Sequence, residues 1–438
     1  MLNTDTLRKV SANHQEPAWL LELRLAAFKK FESLPVPSLR YGKAIQTDAS
    51  SLDIAAIDPL KGVGNAAQVR APLPIPAPAE GASVCSFAHA FKDPIMENII
   101  RKHLGSAALP SEDKFSALHS AFFNHGILIH TKRNARVEAP IILGRDQAIQ
   151  NNVIQNNIIH TLVVADAGST VTIIDQSSDD TGDYAGCARD AFQQGTQGFC
   201  STIVEIIAYE GAQVNYVYVQ NLSKNTHHLA TKKAIVGKDA SVFWIDCIMG
   251  SKFTRSTTAS TLTAPGAATK NWGFFFGKED QNFDLNSVTI HSAPHTSSQM
   301  LTKGVLDDKA KTVYRGLIRI DEGAHHSDGC QKEETLLISD NAEVDAVPNL
   351  EIKNDDVKCS HGAAIGQVDA EKLFYMMARG LDEETAKAKI IEGFFEPMIE
   401  QINNTSVGNH IRACIAQRLS NFLSNNRAQY LLVEPLLD

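Results

Sequence analysis

The chain carries a thiol and an imidazole two residues apart in Asn354-Asp355-Asp356-Val357-Lys358-Cys359-Ser360-His361-Gly362-Ala363. In an extended segment, positions i and i+2 leave the same face of the strand. Cys359 and His361 can therefore present a soft and a borderline ligand to one ion, or to one partner surface. A second group, His325-His326-Ser327-Asp328-Gly329-Cys330, gathers nitrogen, carboxylate and thiolate within six positions. At a strand end such a set suits a transition metal, and its plainer reading is a polar turn with one inward cysteine. His227-His228 reads as a polar strand end, Cys247 as a buried strand thiol, and Cys414 as an apolar helix position.

Other chemistries are poorly supported. The seven cysteines (Cys85, Cys187, Cys200, Cys247, Cys330, Cys359 and Cys414) are scattered and odd in number, which fits a reducing cytosol better than a disulfide framework. No C-x-x-C, no G-x-S-x-G and no G-x-x-x-x-G-K-[ST] is present, so a zinc knuckle, a hydrolase elbow and a P-loop are not written locally. Gly62-x-Gly64-x-x-Ala67 mimics a dinucleotide fingerprint but has no clear strand before it. A net charge of −9 without a basic stripe argues against nucleic acid as a partner. The polar start from Met1 to Asn13 has no apolar signal region, and no run of eighteen apolar residues predicts a membrane span. The expected location is the cytoplasm.

Three regions must position these groups. Residues 1–126 read as mostly helical. Glu16-Pro17-Ala18-Trp19 opens a helix in which Leu20, Leu21, Leu25, Phe28 and Phe31 recur at helical spacing, while Glu22, Arg24, Lys29 and Lys30 supply its polar side. A Pro- and Ala-rich stretch, Ala71 to Gly81, reads as an extended linker or irregular loop, and Ser111 to Phe123 as a helix capped by Ser111. Residues 127–368 alternate short Val/Ile/Thr/Tyr/Phe runs with small corners such as Asp166-Ala167-Gly168, Glu210-Gly211-Ala212, Lys238-Asp239-Ala240 and Pro265-Gly266-Ala267. No helical period intervenes, so a coiling solenoid is expected, with a β-sandwich as its alternative. Ser177 to Gly198 reads as a surface loop. Residues 369–438 return to helices, marked by Leu373, Phe374, Met376 and Met377, then by Ala386, Ile390, Ile391, Phe394 and Phe395, and then by Gly408 to Leu423. Gly380 separates the first two, and Pro397 should end or kink the second.

With these regions assembled, the chain resembles the SufB/SufD family of the SUF iron–sulfur cluster assembly machinery, and its SufD members in particular. The resemblance rests on Glu16-Pro17-Ala18-Trp19-Leu20, Gly126 to Ile129, Glu138 to Ile141, Lys303 to Asp308, Pro348 to Ile352, and most specifically Asp355 to Ala363. It continues through Leu373-Phe374-Tyr375, Arg379-Gly380-Leu381 and Gly393-Phe394. It implies a mainly β fold: a right-handed parallel β-helix core flanked by N-terminal and C-terminal helical regions. It also implies a non-catalytic subunit that pairs with the paralogue SufB and docks the ATPase SufC. The docking region would include Leu373, Phe374, Tyr375, Arg379, Gly380, Phe394 and Phe395. Cys359 and His361 would lie near the SufB-facing interface, with His361 the preferred ligand; Cys330 is not part of the family pattern and stays a remote ligand candidate from the His325–Cys330 cluster alone. Iron or a cluster would be held there transiently and not stably by this chain alone, and self-association is expected when SufB is absent. His125 stands where the family more often carries Asp. Two other readings remain at this point: a carbohydrate-active β-helix enzyme, and a purely structural adaptor.

Overall fold

The structure, a computed structural model, describes residues 2–41, 45–47, 52–60, 81–146, 156–178, 198–402 and 405–419. Nearly all of the Ala71–Gly81 stretch, Gly62-x-Gly64-x-x-Ala67, Cys187 and most of the Ser177–Gly198 segment lie outside these residues. The strands from β4 (His125–Thr131) to β19 (Lys358–Gln367) form a parallel β-solenoid of about seven turns. Consecutive strands fall in different sheets, so β10 (Thr226–Val236) pairs with β8 (Gly198–Ala208) and β12 (Phe253–Leu262), in register on both sides. One sheet holds nine strands and ends at β18 (Glu343–Ile352); the other holds eight and ends at β19. This arrangement satisfies a parallel ladder without crossover helices, because each return stroke is itself a strand.

Period-2 alternation sends one side chain set into the interior and the other outward. Val163, Val204, Val214, Tyr216, Val242 and Trp244 fill the interior of the early turns. The corners stack as a backbone ladder: Gly168 N donates to Glu210 O at 2.9 Å, Gly211 N to Lys238 O at 2.8 Å, and Asp239 N to Pro265 O at 3.1 Å. Gly168, Gly211 and Gly266 adopt positive φ there (71°, 67° and 76°), the conformation glycine takes without strain.

Helices cover opposite outer flanks. The N-terminal set comprises α1 (Thr4–Asn13), α2 (Ala18–Ser33), α3 (Phe87–Ala90), α4 (Pro94–His103) and α5 (Lys114–Phe122). Leu20, Phe28, Phe115, Leu118 and Phe122 from this set pack on Leu128, Leu162, Phe199 and Phe253 of the nine-stranded sheet. Asp113, not Ser111, caps α5, accepting from Ser116 N at 2.7 Å; a carboxylate serves the positive helix end better than a hydroxyl. The expectation that Arg24 lies on the polar face of α2 is overturned. Its guanidinium is fully buried over the Phe123 ring, paired with Glu16 at 2.5 and 2.8 Å, and donates to Ala121 O in the last turn of α5 and to Phe123 O just past it. Buried Glu205 ties the two parts together by accepting from the amides of Gly105, Ala107 and Ala108 and from His160. Burial alone would raise that carboxyl, but the His160 contact and the amides hold it below its ordinary value.

On the other flank, α7 (Glu383–Ile399) and α8 (Thr405–Leu419) cover the eight-stranded sheet. Ile391, Phe395, Met398, Ile411 and Ile415 pack against Val217, Ile245, Trp272 and Phe274. Pro397 sits in the last turn of α7, which runs two residues past it and is neither ended nor broken there. Between the solenoid and α7, α6 (Ala370–Ala378) buries no residue.

Candidate functional site at the open end of the solenoid

The last turns differ from the rest. Among the described residues β19 pairs only with β17 (Asp328–Leu337) and β18 only with β16 (Lys311–Ile320), so there both sheets end in a free edge. In β17 the residues Gly329, Gln331, Glu333 and Thr335 are buried and alternate with more exposed ones. Their register partners on β19 are Cys359, His361, Ala363 and Ile365. Cys359 and His361 therefore share the interior-facing side of the terminal strand, as the i, i+2 spacing requires. Cys359 is half-buried against the cluster of Met300, Ile318, Ile320 and Ala324, beside Leu350 and Val357. Burial first, then the charges of Asp328 and Cys330, pushes its thiol above the ordinary cysteine value. His361 is exposed, because no strand among the described residues forms a further turn above it.

Tracing the register backward shows what lies under these two residues. Cys359 tops a column of Gly329, Ser298, Thr269, Val242, Val214 and Val171. His361 tops Gln331, Met300, Asn271, Trp244, Tyr216 and Ile173. A third column, two residues on, runs Asp175, Tyr218, Asp246, Gly273, Thr302, Glu333 and Ala363. The first two change from mainly apolar to partly polar toward the open end, and the third is polar along most of its length. A cavity in the middle turns is lined by Asp246, Ser256, Thr258, Asn271, Thr302 and Tyr314. Lys232, which contacts two of these lining residues, is fully buried, 3.0 Å from Asp246 and 2.7 Å from Ser256 Oγ, with its ammonium over the Tyr218 ring. Near the open end, burial pushes the Glu333 carboxyl up to about 7, against the opposing hydrogen bond donated by Thr335. The side-chain atoms of Gln331 find no partner in the interior.

Sequence reasoning missed Lys232, Asp246, Gln331 and Glu333. Their signal was polar side chains at alternate positions inside strands, which only the register turns into an interior column. Three expectations need correction. His227 and His228 are buried, and His228 Nε2 meets Tyr218 OH at 3.0 Å, so they are interior groups and not a polar strand end. Cys330 is exposed between buried Gly329 and Gln331, and its register partner is Ser360, so alternation places it on the face away from Cys359 and His361. Phe395 is fully buried against Phe274 and offers no surface to a partner. Phe394 is partly covered, with Lys303 Nζ over its ring and on its carbonyl at 2.6 Å. Phe374 and Tyr375 are 74% and 59% exposed, and Leu373, Arg379 and Gly380 lie with them on or beside α6. Cys247 is buried as expected, its thiol raised well above the ordinary value by that burial.

These features define a class: a parallel β-solenoid that ends in a turn carrying a thiol and an imidazole on its interior-facing side. Residues 147–394, more than half of the chain, match the family described as SUF system FeS cluster assembly, SufBD core domain. An iron–sulfur cluster assembly SufBD family protein of Staphylococcus saprophyticus is 28% identical over 92% of this chain and 90% of its own length. The iron–sulfur cluster assembly protein SufB of Bacillus subtilis is 27% identical over the same shares, 92% and 90%. A SufBD family protein of Staphylococcus aureus is 30% identical over 70% of this chain and 63% of its own length. The chain belongs to the SufB/SufD family of iron–sulfur cluster assembly proteins.

Proposed function

We propose that this chain is the SufD-type, non-catalytic half of a cytoplasmic assembly scaffold, paired through its open terminal turn with a SufB paralogue. The observation that carries the proposal is the unpaired terminal turn with Cys359 and His361 on its interior face. The second chain completes that turn and supplies the remaining ligands, so that iron or a nascent cluster is substrate held between two subunits. Thiolate and imidazole both serve as ligands in iron–sulfur proteins. The exposed side chains of α6, with Phe374 and Tyr375 foremost, are the docking surface for the SufC ATPase. ATP-driven movement of that helix alters the geometry of the neighbouring turn. Without its paralogue the chain self-associates through the same free edges.

His361 is the stronger ligand of the pair. Cys359 has its proton held by burial, and a metal must displace that proton to bind it. This favours a second reading for Cys359 alone, as a packing thiol beneath the interface. The test is co-expression with SufB and SufC from the same organism, anaerobic purification, and assay of iron and sulfide in the complex. His361→Ala should leave the complex assembled and lower cluster formation on the order of tenfold or more, the scale on which metal sites respond to lost support. An unchanged cluster yield would remove His361 from the site. A Cys359→Ala complex with normal yield would assign Cys359 to packing.

A further inference from the structure

The cluster His325-His326 is not absorbed by the terminal-turn site, yet the fold completes it. One corner column of the solenoid runs through Gly168, Gly211, Asp239 and Gly266 to His295 and His326. Gly266 N donates to His295 O at 3.1 Å, His295 N to His325 O at 2.9 Å, and His326 N to Asp356 O at 2.7 Å. His295 and His326 occupy the left-handed corner conformation, at φ 57° and 56°, on consecutive turns. Histidine is among the residues that tolerate this conformation, so the corner alone explains two of them. It does not explain His325, which stands exposed between them and brings a third imidazole to the same point.

The side-chain geometry is that of converging ligands. Ring centroids are 4.8 Å apart for His295 and His326, 5.1 Å for His325 and His326, and 5.6 Å for His295 and His325. One ring nitrogen from each lies within 4.8 Å of the other two. An ion bonded to nitrogen at about 2.0–2.1 Å holds tetrahedral ligand atoms about 3.3 Å apart. Rotation of exposed side chains by about an ångström closes that difference, because the backbone ladder fixes where their Cβ atoms start. Asp356 Oδ2 lies 3.0 Å from Nδ1 of His326. A carboxylate on one ring nitrogen fixes the tautomer and turns the other toward an ion, the usual support for a metal-bound histidine.

We propose that His295, His325 and His326 bind one divalent late transition-metal ion, with Asp356 orienting His326 and solvent filling the open position. Three neutral nitrogen ligands without thiolate select by the general affinity order, in which Ni²⁺, Cu²⁺ and Zn²⁺ stand above Fe²⁺. The site is separate from the terminal-turn pair: it lies on an exposed outer corner, whereas Cys359 and His361 face the interior. It stands or falls independently of the family-based reading above.

The test uses the full chain made without a polyhistidine tag, stripped with chelator, and carrying Cys330→Ser and Cys359→Ser to silence nearby thiols. Calorimetric titration with NiCl₂ and ZnCl₂ should show one saturable equivalent. Co²⁺ should give a visible spectrum without thiolate charge transfer. His325→Ala/His326→Ala, checked for intact fold by circular dichroism, should weaken binding at least tenfold. Asp356→Asn should weaken it by a smaller factor, and His361→Ala should leave it unchanged. A parent chain without a saturable equivalent, a double variant that binds like the parent, or loss of binding in His361→Ala would each overturn the assignment.

Discussion

Glu333 offers a quantitative handle on the polar interior beneath the terminal turn. Its carboxyl is fully buried, and its pKa is raised to about 7 from 4.5, burial being the main cause. The folded chain therefore keeps the proton between pH 4.5 and 7, where the unfolded chain releases it. Stability falls as pH rises through that window, since the folded state binds more protons there. A shift of about 2.5 units corresponds to about 3 kcal/mol at roughly 1.36 kcal/mol per unit, all of it present as a cost above about pH 8. Glu333→Gln keeps an oxygen to accept from Thr335 and removes the ionisation. The variant should match the parent near about pH 4.5 and be more stable by about 3 kcal/mol at about pH 8.5. His291 opposes this trend in the parent. Burial lowers its pKa to about 4, while its ring nitrogens meet Thr296 and Ser298 at 2.8 Å. Because the folded chain resists protonating it, stability is lost as pH falls from 6.5 to 4, so the two slopes nearly cancel. The difference between variant and parent isolates Glu333. Urea unfolding followed by far-ultraviolet circular dichroism at half-unit pH steps measures it. A difference that stays constant across the whole of that pH range would refute a raised carboxyl at this position.

Other expectations concern the supports of the fold. Arg24→Met should destabilise the chain by about 3–5 kcal/mol in the same assay, because it leaves buried Glu16 without its partner. Adding Glu16→Gln should recover much of that loss, and no recovery would mean that packing on Phe123, and not charge, dominates. Gly304→Ala would set a Cβ inside the Phe275 ring of the preceding turn, so the ring must move. A loss of about 1–3 kcal/mol is expected, and Phe275→Leu should rescue part of it in a double-mutant cycle.

The solenoid was legible in the sequence because its corners announce themselves. Small residues recur where the backbone turns left-handed, and Val/Ile/Tyr runs without a helical period fill the intervals. The corners at His295 and His326 were harder, since both hold positive φ without being glycine or a small turn residue. Arg24 was misread because a helical wheel assigns charge to solvent, while the carbonyls that receive this guanidinium lie 97 and 99 residues away. His228 and Lys232 were obscure for a related reason. Inside versus outside depends on which alternate face of a strand closes the solenoid, and a shift of one residue exchanges the faces. The Cys359–His361 pair was visible from spacing alone, and the family resemblance gave it a context. What spacing could not supply was the direction of that shared face, inward at the last turn among the described residues.

That the described residues supply no further turn is the strongest physical argument for a partner. A free strand edge is a liability that folded proteins usually blunt with charge, proline, a bulge or a covering segment. β18 follows the rule in part, carrying Pro348 with Glu343, Asp345 and Glu351. β19 does not: its sequence Lys-Cys-Ser-His-Gly-Ala-Ala-Ile-Gly-Gln has one charge at its start and no proline. Its ten residues are exposed or half-buried, with Ile365 49% exposed on the interior-facing side. An edge so little protected is suited to being extended by another strand, and the main-chain bonds gained would hold the partner in register. The register then matters chemically. A strand paired to β19 would bring residues of the second chain directly over Cys359 and His361, just as Gly329 and Gln331 lie beneath them. A ligand set split across that junction would form only when the two chains are joined, and assembly of the site would then be coupled to assembly of the scaffold.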